Sequence, residues 1–246
     1  MREQLVREAV WAAARLTDAE ALRLPMQPEA FFAPNGWQLY SFQAAQTRLQ
    51  TDIPPVSDDG FTLHIGGKAV TLYNDRQAPA RIRFTLAHEL GHLVLRHARR
   101  GDLTGAEQEA QADRFAANLL APAGIAAMVS DAQEAMLLFG LSPIAWGKRL
   151  AELAEDLTCL PPACLARQQA AGEGLWRRRC KCCGGVYRRE PDQPRCPYCG
   201  SRAAERADAL PLGLPYPWTA EGWRQVVKNR LPDGIENPMV QPMEEL

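Results

Sequence analysis

Apolar residues recur at helical spacing near the start of the chain. Leu5, Ala9, Ala12 and Leu16 fall on one stripe, so residues 3–16 are expected as a packing helix. Pro25 and Pro28 break the chain, and a short helix is expected near residues 29–33. Trp37 to Phe42 reads as a strand behind Asn35-Gly36, and Pro54-Pro55 marks a loop. Phe61-Thr-Leu-His-Ile65 and Ala69-Val-Thr-Leu-Tyr73 are β-rich, and Gly66-Gly67-Lys68 between them suits a tight hairpin. The period then becomes helical from Pro79 to about His97, with Phe84, Leu86, Ala87, Leu90, Leu93 and Val94 covering much of the circumference. Such a helix is expected to be largely buried. Thr104 and Glu107 form a capping box that opens a second helix over about 105–120, ending before Pro122. Helices at about 123–138 and 143–156 follow, the last with Ser142 as N-cap and Pro143 in its first turn.

The buried helix from Pro79 to about His97 carries His88-Glu89-Leu90-Gly91-His92. Two histidines one turn apart share a face and can ligate one Zn²⁺, while the glutamate beside the first stands next to the water in the open position. A buried glutamate without such a partner would be costly. A catalytic zinc takes three protein ligands. Glu109 is the expected third, with Glu107 its rival, although the capping box already gives Glu107 a structural role. Asp113, one turn beyond Glu109, is expected to accept a hydrogen bond from a ligand imidazole. Ala112 and Ala116 keep that helix slim enough to pack closely. Glu89 is then the general base, and Tyr73 and His97 are candidates for oxyanion or substrate contact. His97 reads more readily as a partner of the helix dipole, together with Arg96, Arg99 and Arg100. Residues 69–73 are assigned either the alignment of an extended chain beside the metal or a place packed on the core, and His64 a structural or surface place.

Arg81-x-Arg83-Phe84-Thr85-Leu86-Ala87-His88-Glu89-Leu90-Gly91-His92-Leu93, followed by Glu109-x-x-Ala112-Asp113-x-Phe115-Ala116 and Leu119-Leu120-Ala121-Pro122, resembles the ImmA/IrrE family of zinc metallopeptidases. The resemblance implies an α+β, minimal thermolysin-like core. It also implies a protein substrate, a helix-turn-helix repressor of a mobile element or stress regulon. Arg81 and Arg83 match the pattern, but no chemical role follows for them from the sequence.

Composition changes after residue 156. Cys180-x-x-Cys183-Gly184 and Cys196-Pro-Tyr-Cys199-Gly200 are two metal-binding turns that together make a four-sulfur zinc ribbon. Four thiolates leave no open position, so this second Zn²⁺ is structural; iron is the minority alternative. Cys182 is surplus, and Cys159 and Cys164 read as ordinary thiols. The expected organisation is a peptidase domain over 1–156, a linker over 157–175, the ribbon over 176–205, and a proline-rich tail over 206–246 with a short helix near 219–231. Between Trp176 and Arg202 stand 8 Lys/Arg and 2 Asp/Glu, so the ribbon offers a cationic contact for nucleic acid or for an acidic substrate surface. That supports an alternative reading, a non-proteolytic regulator that binds a repressor or DNA.

The whole chain, at net charge −1 and 46% hydrophobic, gives no such argument. Charged residues at 2, 3, 7 and 8 speak against an ordinary signal peptide, and no apolar run reaches membrane-spanning length. A cytoplasmic protein with reduced cysteines is the expectation.

Overall fold

The computed structural model describes residues 2–17, 24–49, 57–129, 132–175, 177–188 and 195–206. The chain divides into two compact units. One holds residues 1–122 with 137–142, and the other holds 123–136 with the described residues from Pro143 onward. The helices expected at the end of the peptidase domain therefore fall mainly in the second unit.

In the first unit, α1 (Glu3–Thr17) buries Ala9, Ala12 and Ala13 in the core. Two 3₁₀ turns, Pro28–Phe31 and Ala33–Asn35, lead into β1 (Gln38–Ser41). α2 (Phe42–Leu49) follows, then the hairpin of β2 (Gly60–Ile65) and β3 (Lys68–Tyr73). Gly66 and Gly67 both take positive φ, 56° and 79°, which is what a two-residue hairpin turn matching the strand twist requires. The sheet is mixed, in the order β1-β3-β2. β1 runs parallel to β3 with Gln38 opposite Val70, and β2 runs antiparallel to it with Thr62 opposite Thr71.

That order corrects the assignment of residues 69–73 to substrate alignment. β3 is the middle strand, and both of its edges are hydrogen-bonded to neighbours. β2 is an outer strand, next to α3, and one of its edges has no strand partner among the described residues.

α3 (Pro79–Val94) packs on β2 and β3, and α4 (Gly105–Leu120) packs against both α3 and α1. Leu86, Ala87 and Leu90 of α3 meet Phe115, Ala116 and Leu119 of α4 in one core. α3 stops short of the expected His97. Leu95 caps it, Arg96 turns left-handed, and His97–Arg99 form a 3₁₀ turn. At the start of α4 both halves of the capping box are made, with Thr104 and Glu107 bonded to each other's backbone N–H.

In the second unit come α5 (Ala123–Ala126), α6 (Ala132–Phe139), whose last residues return to the first unit, and α7 (Pro143–Cys159). α8 (Pro162–Leu175) occupies most of the segment expected as a linker. Pro162 starts it at a position where a missing N–H costs nothing, and its Ala, Leu, Arg and Gln content favours helix. Trp146, Leu150, Leu153 and Leu157 form the buried stripe of α7. The Gly124 N–H donates to Gln168 Oε1 at 2.8 Å, tying α5 to α8. A small antiparallel sheet follows, with β4 (Arg177–Cys180) between β5 (Val186–Arg188) and β6 (Ala204–Arg206). Apart from Arg206 the tail, with the helix expected near 219–231, lies outside the described residues.

Candidate metal centre

Helical spacing puts His88 and His92 on one face of α3, and the close approach of α4 brings Glu109 to them. Gly91 permits that approach: a Cβ there would stand 3.0 Å from Phe115 Cδ1 and 3.2 Å from Ala112 Cα. His88 Nε2 lies 3.0 Å from His92 Nε2 and 3.2 Å from Glu109 Oε2, and His92 Nε2 lies 3.5 Å from Glu109 Oε1. Two imidazoles and a carboxylate around a tetrahedral Zn²⁺ have their donor atoms about 3.3 Å apart. The triangle fits zinc in size and in donor chemistry. Glu107 stays in its capping box and outside this cluster.

Each imidazole is held from behind. The His88 Nδ1–H donates to Asp113 Oδ1 at 2.8 Å, leaving the Nε2 lone pair to face the metal position. Burial opposes protonation of His88, but Asp113 and the neighbouring carboxylates outweigh it and its pKa rises.

His92 has a different support. Its Nδ1 lies 2.9 Å from His97 Nδ1, and His97 Nε2 lies 2.9 Å from Gln111 Oε1. Gln111 Nε2 donates to Leu5 O and to Glu8 Oε2, both at 3.1 Å, so its amide oxygen must face His97. His97 therefore carries its proton on Nε2. Burial holds its pKa below the usual value, so it is neutral and its Nδ1 is an acceptor. The proton between the two rings then sits on His92 Nδ1, and His92 Nε2 is bare. Burial first, then His88 and His97, lowers the His92 pKa to about 4.

Glu89 is 9% exposed. Thr62 Oγ1–H donates to its Oε2 at 2.7 Å, and the buried Thr71 hydroxyl supports Thr62 at 2.8 Å. Thr62 has one proton to give, so Thr71 is the donor in the second contact. Oε1 remains available as an acceptor. Burial raises the Glu89 pKa, against the lowering effect of Thr62 and His88.

A cavity of about 350 Å³ is lined by Gly60, Phe84, His88, Glu89, His92 and Glu109, among others. Asp59 also lines it and forms a double hydrogen bond with Arg81, at 2.6 and 2.8 Å, which ties the start of β2 to α3. Arg83 donates to Gly140 O. These contacts give structural roles to both arginines.

Of the two oxyanion or substrate candidates, neither lines this cavity. Tyr73 packs against the core, and His97 is 3% exposed behind His92, where it orients that ring. Thr62 and Gln111 were not singled out from the sequence. Gln111 did leave a signal, a polar residue on the stripe continued by Phe115 and Leu119.

In the small sheet, Cys180, Cys183, Cys196 and Cys199 bring their sulfurs within 4.8 Å of one another. Cys180 and Cys199 sulfurs are 3.5 Å apart, and those of Cys183 and Cys196 3.7 Å apart. Tetrahedral zinc with four thiolates requires about 3.8 Å. Gly184 and Gly200, at φ 73° and 72°, close the two turns by donating to Cys180 O and Cys196 O. Cys182 is exposed and outside the cluster. The arrangement is that of a zinc ribbon.

No helix among the described residues is long and apolar enough to cross a membrane. No curated protein matches the chain. Residues 46–150 match the family model Peptidase_M78, described as the IrrE N-terminal-like domain, which supports a zinc metallopeptidase-like function and implies a protein substrate. The α3–α4 site lies within that segment, and residues 46–150 belong to the Peptidase_M78, or ImmA/IrrE, family.

Proposed function

We propose that this chain is a zinc-dependent endopeptidase that cuts a helix-turn-helix repressor of a mobile element or stress regulon. The observation that carries the enzymatic reading is the packing of three donors, His88, His92 and Glu109, at 3.0 to 3.5 Å beside a buried glutamate. The repressor as substrate rests on the family resemblance. A zinc ion held by the three donors would supply Lewis acidity, polarising the scissile carbonyl and easing ionisation of the attacking water.

The protein's own residues do the rest. Asp113 and the His97–Gln111 pair keep both Nε2 lone pairs pointed at the ion. Thr62 fixes one oxygen of Glu89, so the other is aimed into the cavity. Glu89 takes a proton from the attacking water and passes it to the leaving amine. Its raised pKa brings it closer to the working range of a base that must also act as an acid. A peptide laid along the outer edge of β2 would be held by main-chain hydrogen bonds, with its scissile bond level with Thr62 and Glu89. A cytoplasmic location is part of the proposal, in keeping with Cys180, Cys183, Cys196 and Cys199 serving as metal donors.

The test is co-expression with the helix-turn-helix regulator encoded nearest the gene, with Glu89→Gln run in parallel. A fragment made by the wild type alone supports the proposal; equal cleavage by Glu89→Gln sinks the mechanism.

The second reading, a regulator that binds DNA, is favoured by Arg179, Arg195 and Arg202 standing exposed on the ribbon. A salt-dependent shift of duplex DNA by the full chain, lost in Arg195→Glu/Arg202→Glu, would support it.

A further inference from the structure

A second cavity, of about 390 Å³, opens beside the first, and His92 lines both. Trp37, Leu93 and Ala69 give it apolar walls, and Lys68, Arg96, Arg99 and His64 line it as well. No Asp or Glu is among its lining residues. Among the described residues, Lys68, Arg96 and Arg99 form no ion pair, whereas Arg81 and Arg100 each bind a carboxylate. Uncompensated cations around one concavity focus a positive potential there.

The backbone adds an independent observation. Arg96 has φ 58° and ψ 39°, the only positive φ outside glycine among the described residues. Glycine is the ordinary residue for that position after a helix, because a Cβ is disfavoured in it. An arginine there projects a long cation from the end of α3 into the cavity.

The place of this cavity along the groove follows from how β2 and α3 run. Gly60 abuts Thr85, and Thr62 bonds Glu89. His64, two residues on and on the same face of the strand, lines the second cavity with Arg96. Strand and helix therefore run in the same direction, and the two cavities succeed each other along one groove. Two residues of strand cover about 7 Å.

The geometry points to this cavity as a specificity subsite for an acidic side chain, Asp or Glu, of the polypeptide substrate, two positions from the scissile bond. The inference rests on the peptidase reading for the word substrate; the anion-binding property does not. A carboxylate entering the cavity meets two guanidinium groups and an ammonium, with Trp37 and Leu93 beside its methylene stem.

Two experiments test it separately. In the first, ¹⁵N-labelled full-length protein is titrated with blocked tetraglutamate, blocked tetraglutamine and inorganic phosphate. The Trp37 indole N–H and the Arg96 and Arg99 Nε–H signals are followed. Tetraglutamate is expected to shift all three, at least about tenfold more tightly than tetraglutamine, with the Trp37 shift lost in Arg96→Glu/Arg99→Glu. Equal shifts from tetraglutamine overturn the anionic assignment. Shifts from phosphate as strong as those from tetraglutamate mark a free-anion site and overturn the peptide assignment.

In the second, zinc-loaded protein is given a peptide library from digested cell lysate, and the cut sites are read by mass spectrometry. Asp and Glu are expected to be enriched two positions from the cut in the wild type, and Lys and Arg in the double variant. Cleavage with no preference there overturns the subsite. A wild type that cuts nothing counts against the peptidase reading instead, and the titration then decides the cavity alone.

Discussion

Replacing His97 by phenylalanine removes the acceptor that holds the proton on His92 Nδ1 while keeping a ring of similar size in the buried site. His92 Nδ1 and Gln111 Oε1 each lose a partner at 2.9 Å. Without that restraint the His92 proton can reside on Nε2, the atom that lies 3.0 Å from His88 Nε2 at the metal position. Binding zinc then requires the tautomer to be corrected and the ring to be reoriented. Loss of such a support to a ligand histidine weakens metal affinity by about 10- to 100-fold, or about 1.4 to 2.8 kcal/mol. The assay is zinc affinity by competition with a chelator, accompanied by imidazole ¹⁵N NMR of the metal-free protein. In the wild type the His92 Nδ1 should be the protonated nitrogen; in His97→Phe the two tautomers should mix. His97→Gln supplies an amide oxygen toward His92 and an N–H toward Gln111, so it should recover most of the affinity. Phenylalanine at 97 with unchanged zinc affinity and an unchanged His92 tautomer would refute the reasoning. Lost affinity in Gln as well as Phe would point to packing instead.

Other consequences are open to measurement. Glu89→Gln should retain zinc while cleavage falls by about 10²- to 10⁴-fold, read by metal content and rate on the same preparation. Gly91→Val pushes into Phe115 and the Ala112 backbone, so urea unfolding should show a loss of about 1–3 kcal/mol and zinc competition a weaker site, because Glu109 moves with α4. The hydrogen bonds from Arg81 hold the Asp59 pKa below its ordinary 3.8, so its contribution is present above that value and lost as pH falls through the folded-state value. Asp59→Asn should therefore be less stable than wild type near neutrality, and the difference should vanish in strong acid. Asp156→Ala removes a buried carboxylate bonded to Arg149, 2% exposed, in α7 and should lower stability by about 1.5–3 kcal/mol in chemical denaturation.

Local chemistry was legible where a few residues carried all of it. The spacing of His88 and His92, and the cysteine turns with their glycines, encode the placing of candidate donors directly in a helix face and in two left-handed backbones. Choosing Glu109 over Glu107 needed the capping box, which is itself a local pattern. What was not legible depends on pairings across long stretches of chain. That β3 is a middle strand follows only from β1 joining it in parallel, some thirty residues away, and strand order leaves little trace in either segment. Thr62 reads as an ordinary strand threonine until the sheet sets it against Glu89. His97 resembles a charged helix end, and only the αL turn at Arg96 folds it back beneath His92. The helix at 162–175 was hidden by weak amphipathicity and by prolines that resemble a linker, although Pro162 sits where a helix begins.

The central claim is that two sets of donors each hold one zinc ion, with only the α3–α4 set open to chemistry. The measurement is zinc stoichiometry with zinc-edge X-ray absorption on the wild type, Glu109→Ala and Cys199→Ser. The account predicts two zinc ions in the wild type, one among nitrogen and oxygen donors and one among four sulfurs. Glu109→Ala should lose or loosen the first alone, together with cleavage, and Cys199→Ser the second alone. A Glu109→Ala protein that keeps both ions at wild-type affinity, or a wild type whose zinc is bound only by sulfur, would contradict it.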